Sequence, residues 1–238
     1  MNVTVVVDSE KTSSNLGTGW GLSIYIERGD SRILFDTGPD ADLLINNSKK
    51  LGIDLSSIDL IVISHAHSDH TGGLIAFKEI KPGIKVYYPY PCRIERLIES
   101  YGLTPVGVKE TIEVMQGVYV VGPLPTANYG LWEQALAVKL KKYVHVFVGC
   151  SHPGVNEIVK KVSRDIKGKI GLVIGGFHGP SKQVLDELMD FKPMAISPIH
   201  CSGEHSVKYL EGNFEGKIIR GGAGLKMRID DKGVTVLE

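Results

Sequence analysis

The sequence predicts an α/β sandwich in which two mixed β-sheets pack face to face and helices cover the outside. Three observations carry this expectation. Strand-length apolar runs outnumber helical stripes along the 238 residues, and they come first, in hairpin-like pairs, within each half. The two halves also echo each other: each has strands, then a Gly-bounded strand end carrying His, then a helix. In such a sandwich the strand ends of both halves meet along one edge, so residues distant in sequence can converge there.

Taken in order, strands are expected at residues 3–7, 20–27 and 32–36, then a helix at 41–51. Strands at 60–63 and 84–88 follow, and Ile94, Leu97, Ile98 and Tyr101 recur at helical spacing. The next strands are 117–121, 134–140 and 144–148. Val155, Ile158, Val159, Val162 and Ile166 then form an apolar helical stripe, with Lys160, Lys161 and Arg164 on the other face. After a strand at 170–174, Ser181 is placed to cap a helix bearing Val184, Leu185, Leu188 and Met189. Strands at 194–198, 217–219, 225–229 and 234–237 complete the chain. With no linker, repeat or low-complexity tract, residues 1–238 read as one domain.

Composition narrows the function classes. Acidic and basic residues number 27 each, so no basic footprint argues for nucleic acid. The apolar fraction of 42% suffices for a core, yet the longest apolar runs are strand-sized, which argues against a membrane helix. The N-terminus lacks a basic stretch and a small-residue cleavage site, so no secretory signal is expected. Cys92, Cys150 and Cys201 are odd in number and include no Cys-x-x-Cys pair, so neither a disulfide framework nor a zinc knuckle is indicated. A reducing cytoplasm fits best.

The most informative segment is Ser64-His65-Ala66-His67-Ser68-Asp69-His70-Thr71-Gly72-Gly73, directly after the apolar run 58–63. It packs three imidazoles and a carboxylate into six positions. If His65 and His67 face one way while Asp69 and His70 turn toward a neighbouring point, the segment gives two ligands to each of two adjacent cations. Imidazole with carboxylate suits Zn²⁺, Mn²⁺ or Fe²⁺. Gly72 and Gly73 let the backbone turn tightly beneath them.

His-x-His-x-Asp-His after a strand resembles the signature of the metallo-β-lactamase superfamily, whose members share an αββα sandwich and mostly hydrolyse esters, amides or phosphodiesters. Four further blocks support it: Phe35-Asp36-Thr37-Gly38, Gly149-Cys150-Ser151-His152-Pro153-Gly154, Gly175-Gly176-Phe177-His178 and His200-Cys201-Ser202-Gly203. With Gly21-Leu22-Ser23 they resemble the branch typified by 7,8-dihydropterin-6-methyl-4-(β-D-ribofuranosyl)aminobenzene-5′-phosphate synthase, over nearly the whole chain.

That resemblance implies that His152 completes the first metal site with His65 and His67, and that His200 joins Asp69 and His70 on the second. Pro153 suits the first turn of a following helix. Cys150 stands where most superfamily hydrolases place a bridging Asp; a thiolate ligand and a buried inert thiol both remain open. Without that carboxylate the second ion is expected to be held more weakly, and a mononuclear resting state becomes an option. His178 is expected to be a substrate contact, an acid or a late-joining ligand. Asp36 is expected to orient a ligating His, to cap the helix after Pro39, or both. His145 reads as structural or exposed, and His205 in a polar loop is left open. Glu133-Gln134 matches an acidic-Gln pair in the family without an evident role. Tyr87, Tyr88, Tyr90 and Arg93 are either packing residues or a ring-and-anion contact.

The leading functional expectation is a metal-dependent hydrolase in which two divalent ions make hydroxide available at neutral pH for attack on an ester or phosphodiester-type bond. Asp69 would both ligate and relay a proton, with His178 as its catalytic partner. The alternative is a transferase of the synthase type, implied by the resemblance alone and weakened by the compact stretch between Gly73 and Trp132. A third class, a metal- or redox-sensing protein, rests on Cys150 and Cys201. The expected partner is a small-molecule substrate, phosphate-bearing among the options, with no nucleic acid and no membrane; a homo-oligomer is left open.

Overall fold

The structure, a computed structural model, describes residues 1–127 and 130–237; positions 128, 129 and 238 of the expected 1–238 domain lie outside them. Strands β1 (Asn2–Val7), β2 (Ser23–Arg28), β3 (Ser31–Phe35), β4 (Leu60–Val62), β5 (Lys85–Pro89) and β6 (Thr104–Val108) belong to one sheet. Strands β7 (Ile112–Met115), β8 (Val118–Pro125), β9 (Trp132–Leu140), β10 (Tyr143–Val148), β11 (Lys169–Gly176), β12 (Ala195–Ile199) and β13 (Lys217–Ile218) form the second. The chain then returns to the first sheet with β14 (Lys226–Asp230) and β15 (Gly233–Leu237), giving the order β15-β14-β1-β2-β3-β4-β5-β6. The second sheet runs β13-β12-β11-β10-β9-β8-β7.

Both sheets are mixed in the same manner. β1, β2 and β3 are antiparallel neighbours, whereas β3, β4, β5 and β6 pair in parallel. Likewise β7 to β10 are antiparallel and β10 to β13 parallel. Parallel neighbours point their carboxyl ends to one edge, where α/β folds bind ligands. On that edge Asp36 and Ser64-His65 leave β3 and β4, while Cys150, His178 and His200 leave β10, β11 and β12.

Strand alternation builds three apolar layers. Ile33, Phe35, Leu60 and Val62 face Leu136, Phe147, Leu172 and Ile174 in the core between the sheets. Their sequence neighbours Leu34, Ile61 and Ile63 point the other way, onto Leu44 of α1 (Ala41–Leu51) and Phe77. On the far side Val144, Val146 and Val148 meet Ile158, Val159 and Val162 of α5 (Val155–Asp165) and Leu185 and Leu188 of α6 (Lys182–Asp190). Three short or peripheral helices, α2 (Ser68–Thr71), α3 (Phe77–Ile80) and α4 (Glu95–Ser100), lie along the first half, and α7 (Glu204–Asn213) follows β12. The αββα sandwich predicted from the sequence is the fold observed. Among the described residues, no helix is long and apolar enough to cross a membrane.

Several local expectations need correction. β6 and β7 were not predicted; both are sheet edges with mostly half-exposed residues, and β6 contains Pro105 and Gly107. The side chain that caps α1 is Asp40, which accepts from the Leu43 N–H, and not Asp36. Pro153 precedes Gly154, the N-cap of α5, so it lies outside the helix. His205 sits in the first turn of α7 and not in a loop. Ser181 caps α6 as expected, through the Val184 N–H.

Candidate metal centre

The segment after β4 turns at once into the single-turn helix α2. That turn passes close under the chain that leaves β3: a Cβ on Gly72 would overlap the Pro39 carbonyl, and one on Gly73 the Thr37 carbonyl. Only glycine permits this approach. It brings Asp36 beneath the segment, where its carboxylate, fully buried, accepts from the Ser64 N–H at 2.7 Å and the Ser64 hydroxyl at 2.7 Å. The same carboxylate meets His70 Nδ1 at 2.7 Å. Burial alone would strip charge from His70, but Asp36 outweighs it and pushes the pKa up. The carboxylate holds a proton on Nδ1, and Nε2 is the nitrogen that faces the centre.

His65 is set by a relay. Its Nδ1 lies 2.9 Å from Ser64 Oγ, whose own proton goes to Asp36, so Nδ1 donates and Nε2 carries the lone pair. That Nε2 meets His67 Nδ1 at 3.1 Å. In the second half Glu133, buried at the start of β9, does the corresponding work. One of its oxygens accepts from the Cys150 and Ser151 N–H groups at 2.9 and 2.7 Å. The other lies 2.8 Å from both the N–H and Nδ1 of His152, which turns His152 Nε2 toward His65 and His67. Gln134 beside it donates to Ile63 O at 2.9 Å and Tyr87 O at 3.2 Å, and its N–H bonds Ser64 O at 2.9 Å. The Glu-Gln pair thus fastens the second sheet to the first at the edge of the site.

Three overlapping groups of ligand atoms result among the described residues, each within 4.8 Å: His65, His67, His152; Asp69, His70, Cys150, His200; and Cys150, His152, His178. Cys150 Sγ lies 3.3 Å from His70 Nε2 and 3.5 Å from His200 Nε2. Asp69 stands 3.6 and 3.7 Å from the same two nitrogens. All seven proposed ligands therefore converge, and His178 stacks against His152 with ring centres 4.5 Å apart. Burial and neighbouring imidazoles hold His65 far below its ordinary pKa, lower His67 and His178, and bring His200 to about 3. At neutral pH these rings offer lone pairs and not charges. The donor set of imidazoles, one carboxylate and one thiol suits a divalent transition metal.

Four non-glycine residues at this edge, Asp36, Ser151, His178 and His200, occupy the left-handed region with φ between 52° and 61°. Such strain is kept where surrounding bonds dictate it, and here it accompanies the sharp turns at the strand ends that carry the site. His200 is further held by its N–H donating to Asp8 at 3.0 Å; burial lifts the Asp8 carboxyl to about 6. Trp20, 62% exposed, lies against the His200 ring at 5.0 Å. Asp8, Trp20, His200, Glu204 and Arg220 line a cavity of about 600 Å³ that opens beside the second group.

The sequence did not assign Glu133, Gln134, Asp8 or Trp20. For Glu133 the available signal was an acid heading an otherwise apolar strand. His145 is structural: it is buried and its Nδ1 accepts from the Leu172 N–H at 3.1 Å. Tyr87 and Tyr88 pack into the two flanking cores, and exposed Tyr90 carries Lys109 over its ring at 4.8 Å.

An αββα sandwich with His, Asp and Cys ligand atoms gathered on its strand-end edge defines a metal-binding protein of the metallo-β-lactamase type. Residues 17–200 match the metallo-beta-lactamase superfamily, and the chain belongs to that superfamily. It is 30% identical to 7,8-dihydropterin-6-methyl-4-(beta-D-ribofuranosyl)-aminobenzene-5'-phosphate synthase of Methanocaldococcus jannaschii, over 77% of this chain and 81% of that one. Among solved structures, a metal-dependent hydrolase of the beta-lactamase superfamily superposes with a TM-score of 0.84 at 25% identity, covering 97% of this chain and 100% of that one. The short form of human tRNase Z shares the fold, with a TM-score of 0.64 at 15% identity over 96% of this chain and 99% of that one.

Proposed function

We propose that the chain is a metal-dependent hydrolase that uses water to cleave an ester or phosphodiester-type bond in a small molecule. One observation carries the reading: strand ends from two sheets aim two adjacent groups of ligand atoms at neighbouring points, and buried acids fix the ring nitrogens that face inward. His65, His67 and His152 would hold one divalent ion; Asp69, His70, Cys150 and His200 would hold the other. Such ions, when bound, supply Lewis acidity and bring the ionisation of water near neutral pH. Asp69, partly exposed between His70 and His200, is placed to take a proton as water is consumed. His178 is exposed beside His152, and burial with that neighbouring ring lowers its pKa, so at pH 7 it is neutral and can accept a proton or a hydrogen bond from the substrate or the water. The cavity lined by Trp20 and Arg220 would seat the remainder of the substrate. The hydrolase neighbour at 25% identity supports the reaction class.

A second reading, group transfer to an amine, is favoured by the 30% identity to the synthase. The two separate in one assay. Zn²⁺- or Mn²⁺-loaded protein is tested on phosphodiesters, on lactones, and on a hydroxymethylpterin with an arylamine. Hydrolysis without amine is expected; product formed only with amine would select transfer. His65→Ala with His67→Ala should remove the ion of the first group and turnover with it, and unchanged metal stoichiometry would overturn the assignment. His178→Ala should lower turnover roughly 10²-fold at unchanged metal content.

A further inference from the structure

We propose that Cys150 and Cys201 form an oxidisable dithiol, and that closing their disulfide withdraws Cys150 from the second group of ligands. The disulfide stands on geometry alone; its effect on an ion rests on the metal-binding reading above.

The two cysteines follow β10 and β12, which are not neighbours, because β11 runs between them. A side chain on β11 at this level would hold them apart. The residue there is Gly176. A Cβ on it would stand 2.6 Å from Cys201 Sγ and 2.6 Å from the Gly149 carbonyl, so the sulfur of Cys201 fills the space that the missing side chain leaves, against the turn that carries Cys150. Cys201 Sγ lies 3.8 Å from the Cys150 carbonyl, and the two thiols are close enough to interact directly. Cys201 is partly exposed and Cys150 buried, so an oxidant reaches Cys201 first. Cys92 is buried elsewhere, with its thiol toward the Trp132 carbonyl at 3.5 Å. It serves as an internal control.

The co-reactant is hydrogen peroxide. Cys201 sulfur attacks one peroxide oxygen, the S–O bond forms as the O–O bond breaks, and water leaves. Cys150 sulfur then attacks Cys201 sulfur, the S–S bond forms as the S–O bond breaks, and a second water carries off the remaining proton. Two thiols lose two electrons and one peroxide gains them. A thiolate is a zinc ligand and a disulfide sulfur is a poor one, so the second group is left with Asp69, His70 and His200.

The test uses the full chain loaded with Zn²⁺ and treated with equimolar hydrogen peroxide. Thiols are counted in denaturant, intact mass is recorded, and a chromophoric chelator reports released ion. Wild type should fall from its three thiols to one, lose the mass of two hydrogens, and release Zn²⁺ from the second group. Dithiothreitol with added Zn²⁺ should restore both. Cys92→Ser should behave as wild type, and Cys201→Ser should keep its Zn²⁺ at the same dose. Three surviving thiols, a mass gain of oxygen atoms, or equal Zn²⁺ release by Cys201→Ser would each overturn the proposal. Zn²⁺ stoichiometry before oxidation tests the metal reading separately. If no second ion binds, that reading fails, and the thiol count of the metal-free chain still decides the disulfide.

Discussion

The two halves of the chain supply the same centre by different means. The first half delivers His65, His67, Asp69 and His70 from one continuous loop, steered by one buried acid, Asp36. The second half collects Cys150, His152, His178 and His200 from three separate strand ends, and its buried acid, Glu133, reaches across from β9. Asp36 touches His70 directly and His65 through Ser64, so it serves both groups of ligands; Glu133 likewise fixes His152 of one group and the backbone at Cys150 of the other. Both acids hold backbone as well as a ring, but Asp36 holds one N–H, at Ser64, whereas Glu133 holds three in a row, at Cys150, Ser151 and His152.

Losing Glu133 should therefore damage the fold more than any other single change at the centre. Glu133→Ala leaves three buried N–H groups and the Nδ1–H of His152 without acceptors. We expect the metal-free protein to lose about 4 kcal/mol in urea unfolding, given one to three for each unmet buried donor and partial relaxation. A loss under about 1 kcal/mol would show that the second-half loops hold themselves.

A second difference lies in a buried histidine that only the second half carries in its sheet. His145 on β10 is held at a pKa of about 4, chiefly by burial, against an ordinary value of 6.5. A depressed native pKa contributes stability that is fully present above the unfolded value and is lost as pH falls. The native state resists the proton that the unfolded chain accepts. Between pH 6.5 and about 4 the chelated protein should lose on the order of 3 kcal/mol from this group. The low pKa values of His65, His67, His178 and His200 act with the same sign, whereas Asp8, raised to about 6, opposes them as pH rises through its window. His145→Gln should therefore flatten the slope of stability against pH over that range. An unaltered slope would assign the acid sensitivity to the centre alone.

How much of this was legible in the sequence follows the same division. His65, His67, Asp69 and His70 announce themselves because a local loop keeps its chemistry in consecutive positions. Asp36 was legible as an orienting carboxylate from its place at a strand end, although the helix cap belongs to Asp40. His152, His178 and His200 each follow an unremarkable apolar strand, and resemblance to a family was needed to gather them. Glu133 stood out only as half of an acidic-Gln pair shared with the family and without a role: its partners lie 17 to 19 residues further on and are brought to it by strand pairing. The edge strands β6 and β7 were hidden for a different reason, since half-exposed residues, joined in β6 by Pro105 and Gly107, weaken the alternation that marks a strand.

Asp36→Asn sharpens the comparison at a smaller scale. An amide retains one acceptor oxygen for the Ser64 N–H but presents N–H groups to the others, so His70 would have to move its proton to Nε2 to be satisfied. That proton would occupy the atom facing Cys150 and Asp69. Affinity for the ion of the second group should fall about 100-fold in calorimetric Zn²⁺ titration, the upper range for partners of ligating histidines. An ion lost first from His65, His67 and His152 would contradict the direct role assigned to Asp36 at His70.

The smallest effect separates direct from relayed control. Ser64 Oγ stands between Asp36 and His65 in the first half, whereas Glu133 meets His152 with nothing between them. Ser64→Ala removes the hydroxyl, leaves the Ser64 N–H bond to Asp36 in place, and deprives His65 Nδ1–H of its acceptor. The ring remains boxed in by His67, His70 and His152 at centroid distances of 4.7, 4.2 and 4.6 Å, so packing should preserve most of its orientation. We expect about tenfold weaker Zn²⁺ binding at the first group, the lower range for such a partner, and no change at the second, where His70 still bonds Asp36 directly. Equal weakening at both groups would mean that Ser64 acts by positioning the Asp36 carboxylate itself, and the first half would then hold its ligands through one rigid acid and not through a relay.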